Sequence, residues 1–139
     1  MIDVLYQDEH LIAVNKPSGV LSVPGLVSDD NLLDRVIRYF PNSRTVHRLD
    51  MNTSGLLLFA QSYPAQKALN KLFAHGAIKK RYKAWVDGIV MADDGEMVMP
   101  LIADWPNRPK QKIDWLEGKP SHTFFRTLIR SEEFNASLL

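Results

Sequence analysis

The sequence predicts an α+β fold in which helices flank a mixed or antiparallel β-sheet. Short, wholly apolar runs at residues 11–14 and 56–60 are typical of buried strands. Apolar residues recur at three- and four-residue spacing within residues 32–40 and 65–73, which predicts two amphipathic helices. From Tyr82 onward, alternating strand patterns with hairpin-length links replace the helical period. Strands followed by hairpins, with only some helices between them, indicate this fold class.

The first half of the chain supplies signals for the ends of these elements. The strand at residues 11–14 stops at the turn sequence NKPSG, residues 15–19. Ser28, Asp29 and Asp30 are candidate N-caps for the helix at residues 32–40, and Pro41 is its expected stop.

The next two elements have equally clear signals. The apolar run at residues 56–60 suits a central strand covered on both sides. Ser62 is the expected N-cap of the second helix, with Pro64 in its first turn and Gly76 at its end.

The second half is predicted to be all strand. Alternation favours a strand from Tyr82 to about Val90, and further strands near residues 96–100, 111–116 and 122–129. Residues 136–139 read as the start of another strand that nothing follows to pair with. We therefore expect a fold that is incomplete at its C-terminus.

Length and composition indicate a single globular domain over residues 1–139. Hydrophobic residues make up 45% of the chain and charged residues 24%, which allows a core and argues against disorder. The absence of cysteine excludes disulfides and cysteine-ligated zinc. No apolar stretch could span a bilayer, and the first ten residues do not resemble a signal peptide, so a cytoplasmic protein is expected.

Charge alone does not identify a nucleic-acid partner, because the net charge is only +1. The basic residues are nevertheless clustered. One cluster comprises Lys79, Lys80, Arg81 and Lys83, and a second comprises Arg108, Lys110 and Lys112. Each is either a contact for an RNA backbone or an ordinary solvated face.

The densest polar segment, HRLDMNTSG at residues 47–55, precedes the apolar strand at residue 56. Asp50 there is a candidate nucleophile or general acid–base group, and Arg48 would share its side of an extended chain. The residues alone favour a plainer interpretation, in which Asp50 caps a turn. His47 is a candidate ligand or base, although a structural histidine is commoner.

Four further residues have both a functional and a structural interpretation. Lys16 is either a phosphate contact or a turn lysine, and Tyr82 either stacks on a base and moves a proton or packs within a strand. Trp105 and Trp115, near Arg108, suit either an RNA surface or packing. The four histidines lack metal-ligand spacing, and no phosphate-binding or dinucleotide-binding motif occurs, so no metal site is predicted.

Four segments together resemble the RluA family of pseudouridine synthases. HRLD and TSG, at residues 47–50 and 53–55, are similar to the catalytic motif of that family, and NKPSG with SVPG at residues 22–25 is similar to its N-terminal motif. KRYKA at residues 80–84 resembles a third motif. PLI at residues 100–102 and DWPNRPKQK at residues 104–112 resemble one member most closely. The resemblance runs from about residue 4 to residue 123.

The resemblance implies an enzyme that isomerises uridine to pseudouridine in RNA without a cofactor. It implies that Asp50 is the catalytic carboxylate, that Tyr82 transfers a sugar proton and stacks on the base, and that Arg48 fills the gap left by a flipped nucleotide. The implied substrates are stem-loops of large-subunit ribosomal RNA, of transfer RNA, or of both. We expect a monomer with Lys16 and the two basic clusters as candidate RNA contacts.

One expected motif, G-R-x-H-Q-L-R, has no match in the chain, although its arginine would pair with the catalytic aspartate. Residues 1–139 would then be the N-terminal and central part of the catalytic domain, without an S4-type domain, and inactive in isolation. A non-catalytic RNA-binding module with the same fold is the main alternative. A carboxylate glycosidase would need a second acid, which the sequence does not suggest.

Overall fold

The computed structural model describes residues 2–25 and 28–139. The chain divides into two compact units, Met1–Lys79 and Lys80–Leu139, called here the first and second unit. Within the described residues every pairing between strands is antiparallel. The predicted α+β class is therefore confirmed, with antiparallel sheets. The prediction of a single domain is not tested by this division and stays a prediction.

The first unit holds a four-stranded sheet and two helices. The strands are β1 (Asp3–Gln7), β2 (Leu11–Lys16), β3 (Arg44–Thr45) and β4 (Gly55–Ala60), and the helices are α1 (Leu32–Ile37) and α2 (Tyr63–Ala74). The strand order is β1-β2-β4-β3. Neither β1 nor β3 was predicted: β1 is exposed along its whole length, and β3 has only two residues.

The hydrophobic core lies between one face of this sheet and α1. Ile12 pairs with Phe59 and Val14 with Leu57, so alternate residues of β2 and β4 point to the same face. The buried cluster consists of Ile12, Val14, Leu57, Phe59, Leu49, Leu32 and Val36. The expectation that β4 is covered on both sides is wrong at Leu56, which is 54% exposed.

Helix α1 begins at Leu32, as predicted, but its N-cap is Asn31 and not one of the three predicted caps. The Asn31 side-chain oxygen accepts a hydrogen bond from the Asp34 amide at 2.9 Å. Asp30, a predicted cap, instead pairs with the Arg35 guanidinium. The helix ends at Ile37, well before the expected stop at Pro41.

Helix α2 follows its predicted signals at both ends. The Ser62 hydroxyl accepts from the Ala65 amide at 3.3 Å, and Pro64 lies in the first turn. Gly76 has a φ of +65°, and its amide and that of Ala77 donate to the carbonyls of Phe73 and Leu72. This pair of bonds is a Schellman motif, in which the left-handed position favours glycine.

The second unit consists of two three-stranded sheets. One contains β5 (Trp85–Asp87), β9 (Ile129–Ser131) and β10 (Ala136–Leu138) in the order β5-β10-β9. The other contains β6 (Asp94–Ala103), β7 (Gln111–Ile113) and β8 (Lys119–Arg126) in the order β7-β6-β8. A short 3-10 helix, Trp105–Asn107, lies between β6 and β7.

Three predictions for the second unit were wrong in detail. Tyr82 does not begin a strand, since β5 starts at Trp85. The segment predicted at residues 122–129 is divided, because β8 ends at Arg126 and β9 begins at Ile129. The strand predicted at the end of the chain exists as β10, but it pairs on both sides rather than lacking a partner.

Replacing Asn31 by alanine tests the corrected N-cap of α1. The variant loses the side-chain acceptor for the Asp34 amide, so we expect the free energy of unfolding to fall by about 1 kcal/mol. Urea denaturation followed by circular dichroism measures the change. Asp29→Ala is the matched control, because its carboxylate was a predicted cap and caps nothing. A larger loss in the control would contradict the assignment.

Candidate active site

Asp50 lies in a turn directly before β4. Its backbone carbonyl accepts from the Thr53 amide at 3.1 Å, which closes the turn. Gly55, with a φ of +119°, then begins the strand. The Asp50 side chain is exposed, and its carboxylate has no hydrogen bond or ion pair among the described residues. The turn therefore does not depend on this carboxylate as a cap, and the carboxylate is accessible to a ligand.

The buried ammonium of Lys16 anchors this turn. Lys16 is the last residue of β2 and is fully buried. Its Nζ donates to the carbonyls of Pro17, at 3.0 Å, of Val20, and of Met51, at 2.8 Å. Burial lowers the pKa of Lys16, and the nearby Asp50 carboxylate acts in the opposite direction by favouring the charged form.

The placement of Lys16 corrects its predicted role as an RNA contact. A buried ammonium whose three donors meet three carbonyls has no free donor for a phosphate. Lys16 instead links the NKPSG turn to the residue next to Asp50. The sequence could not distinguish these roles, because Met51 is 35 positions away along the chain.

Three small residues of the N-terminal motifs add further anchors, which sequence reasoning did not identify. The Ser22 hydroxyl donates to the Leu49 carbonyl at 2.6 Å and accepts from the Leu49 amide at 3.0 Å. The Gly19 amide donates to the Met51 carbonyl at 2.9 Å. The Ser18 hydroxyl donates to the Asn52 carbonyl at 2.8 Å. The residues on both sides of Asp50 are thus fixed by hydrogen bonds.

His47, three residues before Asp50, is held by β4 and α2. Its Nε2 accepts from the Leu58 amide of β4 at 3.0 Å, so this nitrogen carries no proton. Its ring stacks on Phe73 of α2, with centroids 4.7 Å apart. A nitrogen already used as an acceptor is not free to act as a base, which favours the structural interpretation of His47.

Arg48 is exposed and makes no ion pair within residues 2–25 and 28–139. Its guanidinium therefore remains available to a ligand. The Leu49 side chain between Arg48 and Asp50 is buried in the core. This burial fixes the backbone at the point where the two polar side chains leave it. The arrangement places a free carboxylate and a free guanidinium two residues apart on an anchored loop.

The remaining predicted site residues are also exposed. In the second unit, Tyr82 is 60% exposed in the irregular segment before β5. The basic residues Lys79, Lys80, Lys83, Arg108 and Lys110 are exposed, and none makes an ion pair among the described residues. All of them can contact a polyanion. Residues 2–25 and 28–139 contain no group of three potential metal ligands, and no helix there is long and apolar enough to cross a membrane.

The chain is similar to known proteins of one kind, the RNA pseudouridine synthases. The RNA pseudouridylate synthase family matches residues 10–139. Dual-specificity RNA pseudouridine synthase RluA of Vibrio cholerae is 48% identical over 134 residues, covering 95% of this chain and 55% of the relative. The Escherichia coli protein of the same name is 44% identical over 127 residues, covering 90% and 58%. The chain thus spans a little over half the length of these relatives.

Two solved structures have a similar fold. Human RNA Pseudouridylate Synthase Domain Containing 1 aligns with a TM-score of 0.78 at 22% identity, covering 99% of this chain and 57% of the other. Human RNA Pseudouridylate Synthase Domain Containing 4 aligns with a TM-score of 0.72 at 19% identity, covering 98% and 56%. These similarities support the fold.

Replacing Lys16 by methionine tests the anchor. The methionine keeps most of the length but leaves three carbonyls without their donor, so we expect a loss of about 1–3 kcal/mol in the free energy of unfolding. Lys67→Met, at an exposed position of α2, should change it by less than about 0.5 kcal/mol. Equal effects in the two variants, measured by urea denaturation, would refute the role given to Lys16.

Proposed function

The chain belongs to the RNA pseudouridylate synthase family, and we propose that its protein isomerises specific uridines in RNA to pseudouridine. The observation that carries this proposal is Asp50, whose carboxylate is exposed and unpaired while the backbone on both sides is anchored. A catalytic group needs this combination of fixed position and access to the substrate.

Asp50 would act at the sugar carbon that carries the base. The N-glycosidic bond breaks, the uracil leaves with the bonding electrons, turns, and forms a new bond from its C5 to the ribose. The proton on C5 is then lost, and N1, which left the ribose with the bonding electrons, gains a proton, so the reaction neither adds nor removes atoms. Asp50 either attacks C1′ of the ribose or assists loss of the uracil to a glycal-like intermediate. In the second route Tyr82 takes the C2′ proton of the sugar as the glycal forms and returns it when C5 bonds to C1′.

The substrate uridine must leave its stack before this reaction, because C1′ is inaccessible within stacked RNA. Arg48 is suited to fill the resulting gap, because its guanidinium is exposed and unpaired two residues from Asp50. A planar guanidinium can stack on neighbouring bases and donate hydrogen bonds to them. One anchored loop would thus carry both the reacting carboxylate and the side chain that keeps the target nucleotide out of the stack.

The exposed lysines on both sides of Tyr82 in the sequence are proposed to hold the RNA backbone. Lys79, Lys80 and Lys83 have no carboxylate partner in the described parts of the chain, so phosphates can pair with them. Arg108 and Lys110 are proposed as a second contact region. Such contacts release counterions, and RNA affinity should therefore fall as salt concentration rises.

We infer stem-loops of ribosomal RNA, of transfer RNA, or of both as substrates. The bacterial relatives are named dual-specificity RNA pseudouridine synthases, which supports more than one RNA as substrate. A requirement for Asp50 in turnover would favour the isomerase over a non-catalytic RNA-binding module. A monomeric state and a cytoplasmic location stay predictions of the sequence.

Asp50→Asn separates catalysis from binding. The amide has nearly the size of the carboxylate but is a far weaker nucleophile and base, so we expect pseudouridine formation to be abolished with the fold and RNA affinity kept. The assay uses the protein expressed from its complete reading frame and a panel of ribosomal and transfer RNA stem-loops. Pseudouridine is detected by mass spectrometry after chemical derivatisation.

Asp29→Asn serves as the control, because it makes the same change in an exposed acid outside the loop. Near wild-type pseudouridine formation by Asp50→Asn would overturn the assignment of the carboxylate. RNA binding without turnover by the wild-type protein, on every RNA of the panel, would favour the non-catalytic module.

Tyr82→Phe tests whether the hydroxyl takes part in chemistry. The ring remains for stacking while the hydroxyl that can transfer a proton is lost, so single-turnover rates should fall at least about 100-fold with less than about threefold loss of affinity. Tyr39→Phe, at an equally exposed tyrosine, is the control. An unchanged single-turnover rate would leave Tyr82 with stacking alone.

A further inference from the structure

The hairpin between β6 and β7 has a well-defined tip. The Asp104 amide donates to the Lys110 carbonyl at 2.9 Å, and the Lys110 amide donates to the Asn107 carbonyl at 3.1 Å. The Asp104 carboxylate accepts from the Asn107 side-chain amide at 2.8 Å. Pro106 and Pro109 restrict the backbone further. The tip is therefore preorganised, which lowers the entropy lost when a ligand binds it.

Trp105 and Arg108 form a stacked pair at this tip. Trp105 is 66% exposed, and the Arg108 guanidinium carbon lies 4.4 Å from the centre of its ring. Asp104 is the acid nearest to this pair in the sequence, and its carboxylate is hydrogen-bonded to Asn107 and not to Arg108. An exposed indole next to unneutralised Arg108 and Lys110 combines a flat apolar surface with positive charge.

We propose that the Trp105–Arg108 pair is a stacking site for an unpaired nucleobase of the RNA, with Lys110 at an adjacent phosphate. This inference rests on the proposed function for the choice of RNA as ligand. Indole and guanidinium planes both stack on bases, whereas a base within a duplex offers no free face. The site therefore selects for single-stranded loops over paired stems.

Trp115 provides an internal comparison on the same sheet. It is 76% exposed in the turn between β7 and β8, but no cation among the described residues stacks on its ring. The turn is closed by Asp114, whose carboxylate accepts from the amides of Leu116 and Glu117. The Asp114 carboxylate also pairs with the Lys112 ammonium at 3.6 Å. The cation next to this turn is thus held by an acid and not by the indole, so exposure alone does not predict a stacking site.

The test measures binding of the complete protein, in an Asp50→Asn background, to a stem-loop RNA and to a fully paired duplex of equal length. Trp105→Ala should weaken binding to the stem-loop at least about fivefold and to the duplex less than about twofold. Trp105→Phe, which keeps a ring, should retain most of the affinity. Trp115→Ala should leave both affinities unchanged within about twofold.

Salt dependence separates stacking from phosphate contact. Lys110→Ala should reduce the slope of log affinity against log salt by about one, whereas Trp105→Ala should lower affinity without changing the slope. Wild-type affinity of Trp105→Ala for the stem-loop, or an equal loss on both RNAs, would overturn the proposal. An unfolding curve for each variant excludes misfolding as the cause of a loss.

The two proposals fail in distinguishable ways, because this assay requires no turnover. If the wild-type protein forms no pseudouridine but Trp105→Ala shows the selective loss, the stacking site stands and the isomerase proposal falls. If pseudouridine forms and the affinity of Trp105→Ala is unchanged, only the stacking site is refuted.

Discussion

The Lys16 ammonium, buried between the end of β2 and the turn before β4, is the interaction on which the candidate site depends. Burying an unpaired charge is costly, and here three carbonyl acceptors and the nearby Asp50 carboxylate offset the cost. One of those carbonyls belongs to Met51, the residue after Asp50. The position of Asp50 thus follows from a buried group that is itself not accessible to a ligand.

The sheet register explains why the two motifs meet. Lys16 is the partner of Gly55 at the end of the β2–β4 pairing. The NKPSG segment therefore leaves β2 at the same end of the strand pair at which the Asp50 turn enters β4. In an antiparallel pair, the C-terminal end of one strand lies beside the N-terminal end of the other. Ser22 can therefore bond Leu49 across 27 positions of sequence.

The sequence predicted elements with local signals and missed those that depend on distant partners. Ser62 and Gly76 mark α2 through contacts within a few residues, and both signals were correct. Asn31 was missed because its backbone lies beside Leu21, where a parallel bridge fixes its extended conformation. The strand predicted from Tyr82 fails for a related reason: the first residue there with a ladder partner is Ala84, which bonds Leu139.

In the candidate site, too, the sequence predicted what has a local signal and missed what depends on distant partners. The motif at residues 47–50 identifies Asp50 from the sequence alone. The exposure of the Asp50 side chain leaves it accessible for a chemical role. Local spacing could not reveal that Lys16 is occupied by backbone carbonyls or that His47 accepts from the Leu58 amide. These assignments require distances across the sheet, which composition and spacing do not contain.

Burial is distributed unequally between the two units. Every buried apolar side chain of the described residues belongs to the first unit, whereas Ser137 is the only buried residue of the second. Ser137 donates to the Gly88 carbonyl and accepts from the Val90 amide. Local opening is easiest where little apolar surface is buried, so backbone amides of the second unit should exchange with deuterium faster than those of β2 and β4. A ligand held by the second unit would slow that exchange, which makes deuterium uptake a direct map of the segments that binding orders.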